Sequence, residues 1–463
     1  MKRILFFFLA IIAVSNMHVS LSGCAQIGAP TGGLRDSLPP KFINANPKNK
    51  SVNFKGNRIT LNFDEYVHLE ELQQNLLVSP SPKNNPYVDF KLRSVIIRLR
   101  DTLEPNTTYT INLGNSIHDI NENNAIKNFS YVFSTGATLD SLEFSGKVVE
   151  AETGKVDSTL IVLLYKNLSD SAVLKLKPKY IARVDSSGNF TFQNLAPGEY
   201  KVYALKDNFS KKYDSKADMF AFADSSVIVN NKTKRVNLFA YIEEKEKPKK
   251  APANNEKKLR YTAKISGEKQ DILSDLVIEF NKPLKNFDKQ KIILTDTLNN
   301  ILNGVTIITD STNKKVIVKN KWTEDAGYKL IILKDIGIDS AGLALAKSDT
   351  IRFKTKRESD YAVIKLKFLN FDKTKNPVLQ FVVNKEVIKS YPLTTDIWNA
   401  SLFNPGEYEL RILFDENKNG KWDEGNFALK RQPEKVYSIP QKLSVSANFE
   451  KDVDIELPPS KFP

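Results

Sequence analysis

The sequence predicts an all-β chain built as a tandem row of β-sandwich domains. Apolar residues from about Lys41 onward fall in short alternating runs, and the turns between them collect Asn, Asp, Pro and Gly. The second half of the chain also restates the motifs of the first half in the same order. No segment of helical period runs long enough to compete. Residues 58–63, 95–99, 109–113 and 129–133 have strand composition, and together they read as a first β-sandwich of about 100 residues.

The N-terminus belongs to no fold element. Lys2 and Arg3 precede an apolar run over residues 4–14 and a short polar stretch, the three-part layout of a secretory leader. The run is shorter than the ~20 residues a membrane-spanning helix needs. Leu21-Ser22-Gly23-Cys24 resembles the bacterial lipobox, in which the cysteine is acylated and the leader is cut away just before it. That resemblance implies a leader over residues 1–23, Cys24 as the first mature residue and lipidation site, and attachment to a membrane through several acyl chains. One chain holds only marginally, whereas two or three hold durably. Residues 24–40, with Pro30-Thr31-Gly32-Gly33 and Pro39-Pro40, read as a tether.

Composition narrows the chemistry. Cys24 is the single cysteine, so lipidation leaves none for disulfides, thiol catalysis or zinc. Of three histidines, His18 lies in the leader, and His68 and His118 are thin material for acid–base catalysis. The net charge is +14, but Lys and Arg are spread along the chain and export removes the usual nucleic-acid partner. No nucleic acid is expected; anionic envelope groups or a solvated basic surface account for the charge.

A family resemblance emerges over residues 41–136. Phe63-Asp64-Glu65-Tyr66, residues 103–109, Ile117-His118-Asp119 and residues 131–136 recur in the order and spacing of the bacterial, surface-layer-type Ig-like domain. That domain is common in envelope lipoproteins of the Bacteroidetes. Residues 137–244 carry a different signature, Gly188-Asn189-Phe190 and Pro197-Gly198-Glu199-Tyr200, which resembles the prealbumin-like or carboxypeptidase-regulatory-like β-sandwich. Residues 245–258 are rich in Lys and Pro, with no apolar side chain larger than alanine, and read as a mobile linker. The pattern then repeats: a second Ig-like domain over 259–356, where Ile338-Asp339 answers His118-Asp119, and a second prealbumin-like sandwich over 357–463. There Pro405-Gly406-Glu407-Tyr408 answers the earlier turn, and Asp415 lies at the same distance from it as Asp207 does.

One loop carries site chemistry. Asp415, Asn417, Asn419, the Lys421 carbonyl and Asp423, with Gly420 in sixth place, match the first nine positions of a twelve-residue calcium loop, in which alternating oxygens converge on a hard cation. Position twelve is Asn426, which cannot give a bidentate carboxylate; Glu424 or water would have to complete the shell. A polar hairpin with Asp and Asn capping their own backbone fits the same residues. The earlier copy, residues 207–213, lacks these oxygens and the glycine and is expected to bind no metal.

Other candidates are weaker. Asp64-Glu65 and Glu70-Glu71 offer paired carboxylates, Trp322, Trp398 and Trp422 could stack on sugars, and neither a nucleophile elbow nor a phosphate-cradling glycine loop occurs. The expected protein is a non-enzymatic, lipid-anchored scaffold or protein-binding module at the outer membrane, its two arms moving independently about the linker. The absence of an acidic run after Cys24, within the lipoprotein resemblance, implies a periplasm-facing position, with surface exposure still open. Recognition of a glycan or peptidoglycan is the rival reading and a hydrolase the third. Exposed Trp side chains lining one groove would favour glycan binding; buried rings and an uncovered strand edge would favour scaffolding.

Overall fold

The computed structural model describes residues 35–208, 210–245, 258–265 and 269–457. The leader, Cys24, most of the tether and nearly all of the Lys/Pro-rich linker lie outside the described residues. The chain is almost entirely β, with 46% strand and 4% helix. It divides into two compact units, 1–139 and 140–463.

In the first unit the strand Phe42–Asn46 pairs Arg58–Phe63, which pairs Ser94–Arg98, which pairs Tyr87–Lys91. The facing sheet is Leu77–Ser79, Thr108–Gly114 and Phe129–Ser134. Alternation along these strands sends Ile59, Leu61 and Phe63 inward from one sheet and Ile111, Leu113, Tyr131 and Phe133 from the other, forming one core. Asp119 is buried at the end of a short ladder, where its carboxylate accepts the N–H groups of Glu122, Asn123 and Asn124. Burial pushes its carboxyl up, but those three N–H groups win and hold it below the usual range.

The second unit contains three large cores and, among the described residues, a small cluster of Val378, Leu413 and Val436. Residues 142–240 make a sandwich whose small sheet runs Asn189–Leu195, Leu142–Glu150, Val236–Ala240. Its large sheet runs Tyr180–Arg183, Leu160–Tyr165, Gly198–Lys206, Phe220–Phe222. Residues 362–456 repeat this order: Ile397–Phe403, Ala362–Leu369, Glu450–Glu456 in one sheet, and Glu386–Pro392, Pro377–Val383, Gly406–Phe414, Lys435–Ser438 in the other. In both copies the last strand pairs parallel to the first. In both, the tyrosine after Pro-Gly-Glu or its equivalent turn folds back: Tyr200 Oη donates to the Ala196 carbonyl at 3.0 Å and Tyr408 Oη to Asn404 at 2.8 Å.

Between them lies a third sandwich, with Tyr261–Ala263, Leu276–Phe280, Lys315–Lys319, Thr306–Thr309 facing Lys269–Gln270, Asp349–Thr355, Gly327–Ile332, Ile292–Asp296. Asp339 repeats the loop-capping role of Asp119, accepting from Ala341 and Leu343 at 2.8 Å. This domain is fastened to the last sandwich through Asp271, which accepts from Tyr361 Oη at 2.6 Å and Asn404 Nδ2 at 2.8 Å.

The expectation of two independently moving arms fails within residues 140–463. The two large sandwiches touch directly: the Val436 N–H donates to the Ala151 carbonyl at 3.0 Å, and Lys155 pairs with Glu409 at 2.8 Å. Linker composition says how freely a segment can move, and it says nothing about the surfaces the segment joins.

Candidate functional site

Strand Gly406–Phe414 delivers Asp415 to the rim of the last sandwich, where it is 3% exposed. Its Oδ1 accepts the Asn419 N–H at 3.2 Å and its Oδ2 the Gly420 N–H at 2.7 Å. Gly420 has φ +76°, a conformation that a side chain would strain, so glycine is the residue this reversal calls for. Asn417 Oδ1 accepts from the Asn419 N–H and Asn419 Oδ1 from the Lys421 N–H. The two amide nitrogens, Asn417 Nδ2 and Asn419 Nδ2, both donate to Asp423 Oδ2, at 2.8 and 2.6 Å.

All five sequence-predicted residues therefore belong to one turn, with the Asp423 carboxylate at its centre. Positive amide edges gather around that carboxylate much as a cation would, and rotating the amides would bring their oxygens inward. Among the described residues no three His, Cys, Asp or Glu converge as a metal cluster. The donor set is thus mainly neutral oxygen plus two aspartates, the chemistry of calcium rather than of a transition metal.

The sequence-level reading missed Glu434. It is 5% exposed and reaches the loop from eleven residues beyond Asp423, accepting the Glu416 N–H at 2.8 Å and the Asp423 N–H at 3.1 Å. Burial pushes its carboxyl above the usual range; the N–H groups of Asp423, Glu416 and Asn417 pull the other way, and the neighbouring Asp415 adds to the rise. Glu434, rather than Glu424, is the carboxylate behind the loop. The Glu424 carbonyl accepts from Arg431, and Asn426 opens a separate turn against Arg431. In the earlier copy Asp207 is exposed and ion-paired with Lys211, so a lysine stands at the group that Asp415 offers to backbone N–H donors.

Beyond the loop the chain inserts Phe427 into the other sandwich. Its ring centroid lies 5.1 Å from Phe220, 5.3 Å from Phe222, 5.9 Å from Tyr203 and 6.2 Å from Tyr213, mostly edge to face. Gly425 lies so close to the Tyr241 ring that an added Cβ would meet it at 2.6 Å. Gln432 Nε2 donates to the Phe222 carbonyl and to Asp224. The candidate loop is therefore also the clasp between the two sandwiches.

Beside the clasp is an open cleft of about 890 Å³, lined from one sandwich by Glu152, Ile242 and Glu243 and from the other by Gln380, Arg411 and Trp422 among others. Trp422 Nε1 donates to the Glu434 carbonyl at 2.7 Å, and Lys245 sits over its ring.

The three tryptophans divide. Trp322 is core, packed edge to face on Tyr328 and Phe353, and Trp398 packs on Phe381 and Tyr391. Only Trp422 of the three borders the cleft. Of the early carboxylates, Asp64 accepts the Lys41 N–H at 2.7 Å, while Glu70 contacts His68 at 3.2 Å and His118 at 4.0 Å. The pairing His68↔His118 across strands Val67–Leu69 and Ile117–Asp119 brings together the two histidines that the sequence separates by fifty residues. Hydrogen bonds from His68 and then Asn123 hold the Glu70 carboxyl below its usual range.

Comparison with known proteins gives two family matches. Residues 36–135 match the bacterial Ig-like domain, and residues 154–235 match domain II of polysaccharide lyase family 4. No curated protein matches the chain. Solved structures similar to it include the major pilin subunit BcpA of Bacillus cereus, 13% identical over 68% of this chain and 99% of that one, with a TM-score of 0.16. The N-terminal part of the bacterial S-layer protein SbsC is 13% identical over 45% and 44%, with a TM-score of 0.16, and the Bacillus anthracis TIE protein 9% identical over 94% and 75%, with a TM-score of 0.17. The family matches and the fold together define a tandem array of Ig-like and related β-sandwich domains.

Proposed function

We propose that this chain is a non-catalytic scaffold of the bacterial envelope, of the Bacteroidetes lipoprotein type, held at the outer membrane by acyl chains on Cys24 and facing the periplasm. The observation that carries this reading is the clasp. The second unit buries a phenylalanine of one sandwich inside an aromatic box of another, which makes a stiff body rather than beads on a string. An envelope partner is supported by strand Tyr87–Lys91, which among the described residues is paired on one side only and leaves Tyr87 and Phe90 exposed. Among the described residues no helix is long and apolar enough to cross a membrane. Calcium in the Asp415 loop, held by Asp415, Asn417, Asn419, the Lys421 carbonyl and Asp423 with Glu434 behind them, would stiffen the clasp.

Cys24→Ser tests the anchor, with the variant expected in the soluble periplasmic fraction. Membrane retention of the variant would reject lipidation. Tyr87→Lys with Phe90→Lys tests the scaffold role, the expected result being loss of crosslinked envelope complexes at unchanged melting temperature.

A further inference from the structure

Two buried side chains lining the inter-sandwich cleft each keep one polar atom without a hydrogen-bond partner among the described residues. Arg411 is 3% exposed, its Nε has no hydrogen-bond partner among the described residues, and its nearest acid is Glu409 at 3.6 Å from a terminal nitrogen. On the opposite wall Glu243 is 9% exposed; Tyr213 occupies one of its carboxylate oxygens at 2.9 Å, and Oε1 has no partner among the described residues. A buried donor or acceptor left unsatisfied costs about 1–3 kcal/mol, more when charged, so both groups favour an occupant that satisfies them. Sheet register sets Arg411 in a row with Gln380 and Ser390 on three neighbouring strands, all on the face turned away from the core that Leu379, Phe381, Leu410 and Ile412 fill.

We propose that this cleft binds an acidic saccharide, its carboxylate accepting from Arg411 and a hydroxyl donating to Glu243. The chemistry of the walls selects the class. A buried guanidinium and a buried carboxylate line the same cleft, together with the Gln380 amide and the Ser390 hydroxyl, a mixed donor and acceptor set suited to a polyhydroxylated ring. Ile242, Val387 and Trp422 are the three apolar side chains among its fifteen lining residues, too few to make the anchor pockets that peptide recognition depends on. Lining charge is balanced, with Glu152, Glu243, Glu386 and Glu424 against Lys245, Lys385, Arg411 and Lys421. A polyanion gains little from such walls, and a ring with a single carboxylate gains most.

The test uses the full chain, with calorimetry and tryptophan fluorescence against tetrasaccharides that carry a single glucuronate, galacturonate or mannuronate among neutral hexoses. Maltotetraose serves as the neutral control and a tetraglutamate peptide as the acidic non-sugar. At least one uronate is expected to bind and shift the emission of Trp422, with Trp422→Phe removing the shift. Arg411→Gln is expected to weaken binding by about tenfold or more. Because Arg411 is buried, Ser390→Asp on the exposed edge strand provides a second arm. It should weaken binding comparably by repulsion while leaving the melting temperature unchanged. Absence of uronate binding, equal binding of maltotetraose, tighter binding of the peptide, or unaltered affinity in both variants would each overturn the proposal.

Discussion

The two large sandwiches share strand order, the folded-back tyrosine and the parallel closing strand, yet they differ at one loop. After strand Gly198–Lys206 the chain places an exposed Asp207 against Lys211; after Gly406–Phe414 it buries Asp415 under two backbone N–H groups and continues into Phe427. The fold therefore does not require the loop. What the later copy adds is a compact polar turn and, a few residues on, the aromatic side chain that locks the copies together.

The largest effect expected from breaking that difference is at the clasp. Phe427→Ala empties a box of four aromatic rings and should cost about 3 kcal/mol or more. Chemical denaturation of the full chain should then show the sandwiches separating into two transitions, and a single unchanged transition would contradict the interlock. Next in size is Asp415→Ala, which frees two N–H groups at a buried turn and should lower stability by about 2 kcal/mol, while Asp207→Ala stays within about 0.5 kcal/mol. Calorimetry with calcium should give heat for the parent chain and for Asp207→Ala and none for Asp415→Ala, and identical traces would remove the metal site.

The comparison sharpens with pH. Glu434 has a folded-state pKa raised above 4.5, so without calcium its contribution to stability is full below the unfolded value and is lost as pH rises through the folded one. Calcium needs the carboxylate, so its affinity should begin to fall above the ordinary glutamate range as pH is lowered. Glu434→Gln should flatten that part of the profile. The smallest effect lies where the copies agree: Tyr408→Phe removes its bond to the Asn404 carbonyl and should cost about 1 kcal/mol, while Tyr200→Phe, which also loses its contact with the Tyr180 hydroxyl, should cost somewhat more in a denaturant melt.

Much of the local structure was legible in the chain. The strand read over residues 58–63 is the strand Arg58–Phe63, and the paired motifs Ile117-His118-Asp119 and Ile338-Asp339 both end in a buried, loop-capping aspartate. The Gly188-Asn189-Phe190 signature was legible, but not that the turn there carries the chain between sheets. Tyr180–Arg183 pairs Leu160–Tyr165, whereas Asn189–Leu195 pairs Leu142–Glu150. Period-two alternation marks a strand without naming its neighbour. The same limit hid the site: Asp415 to Asp423 announce themselves by spacing, but Glu434, Arg411, Glu243 and Phe427 sit in unremarkable strands and turns.

By itself the sequence determined the all-β class, the repeat of two sandwich kinds and the polar turn, because each depends on side-chain periodicity and backbone preference within a few residues. Only the tertiary structure decided that the two large sandwiches clasp each other and enclose a cleft. That arrangement rests on contacts across more than 200 residues, such as Gln432 to Phe222, and no local pattern records which buried surface a distant phenylalanine will fill.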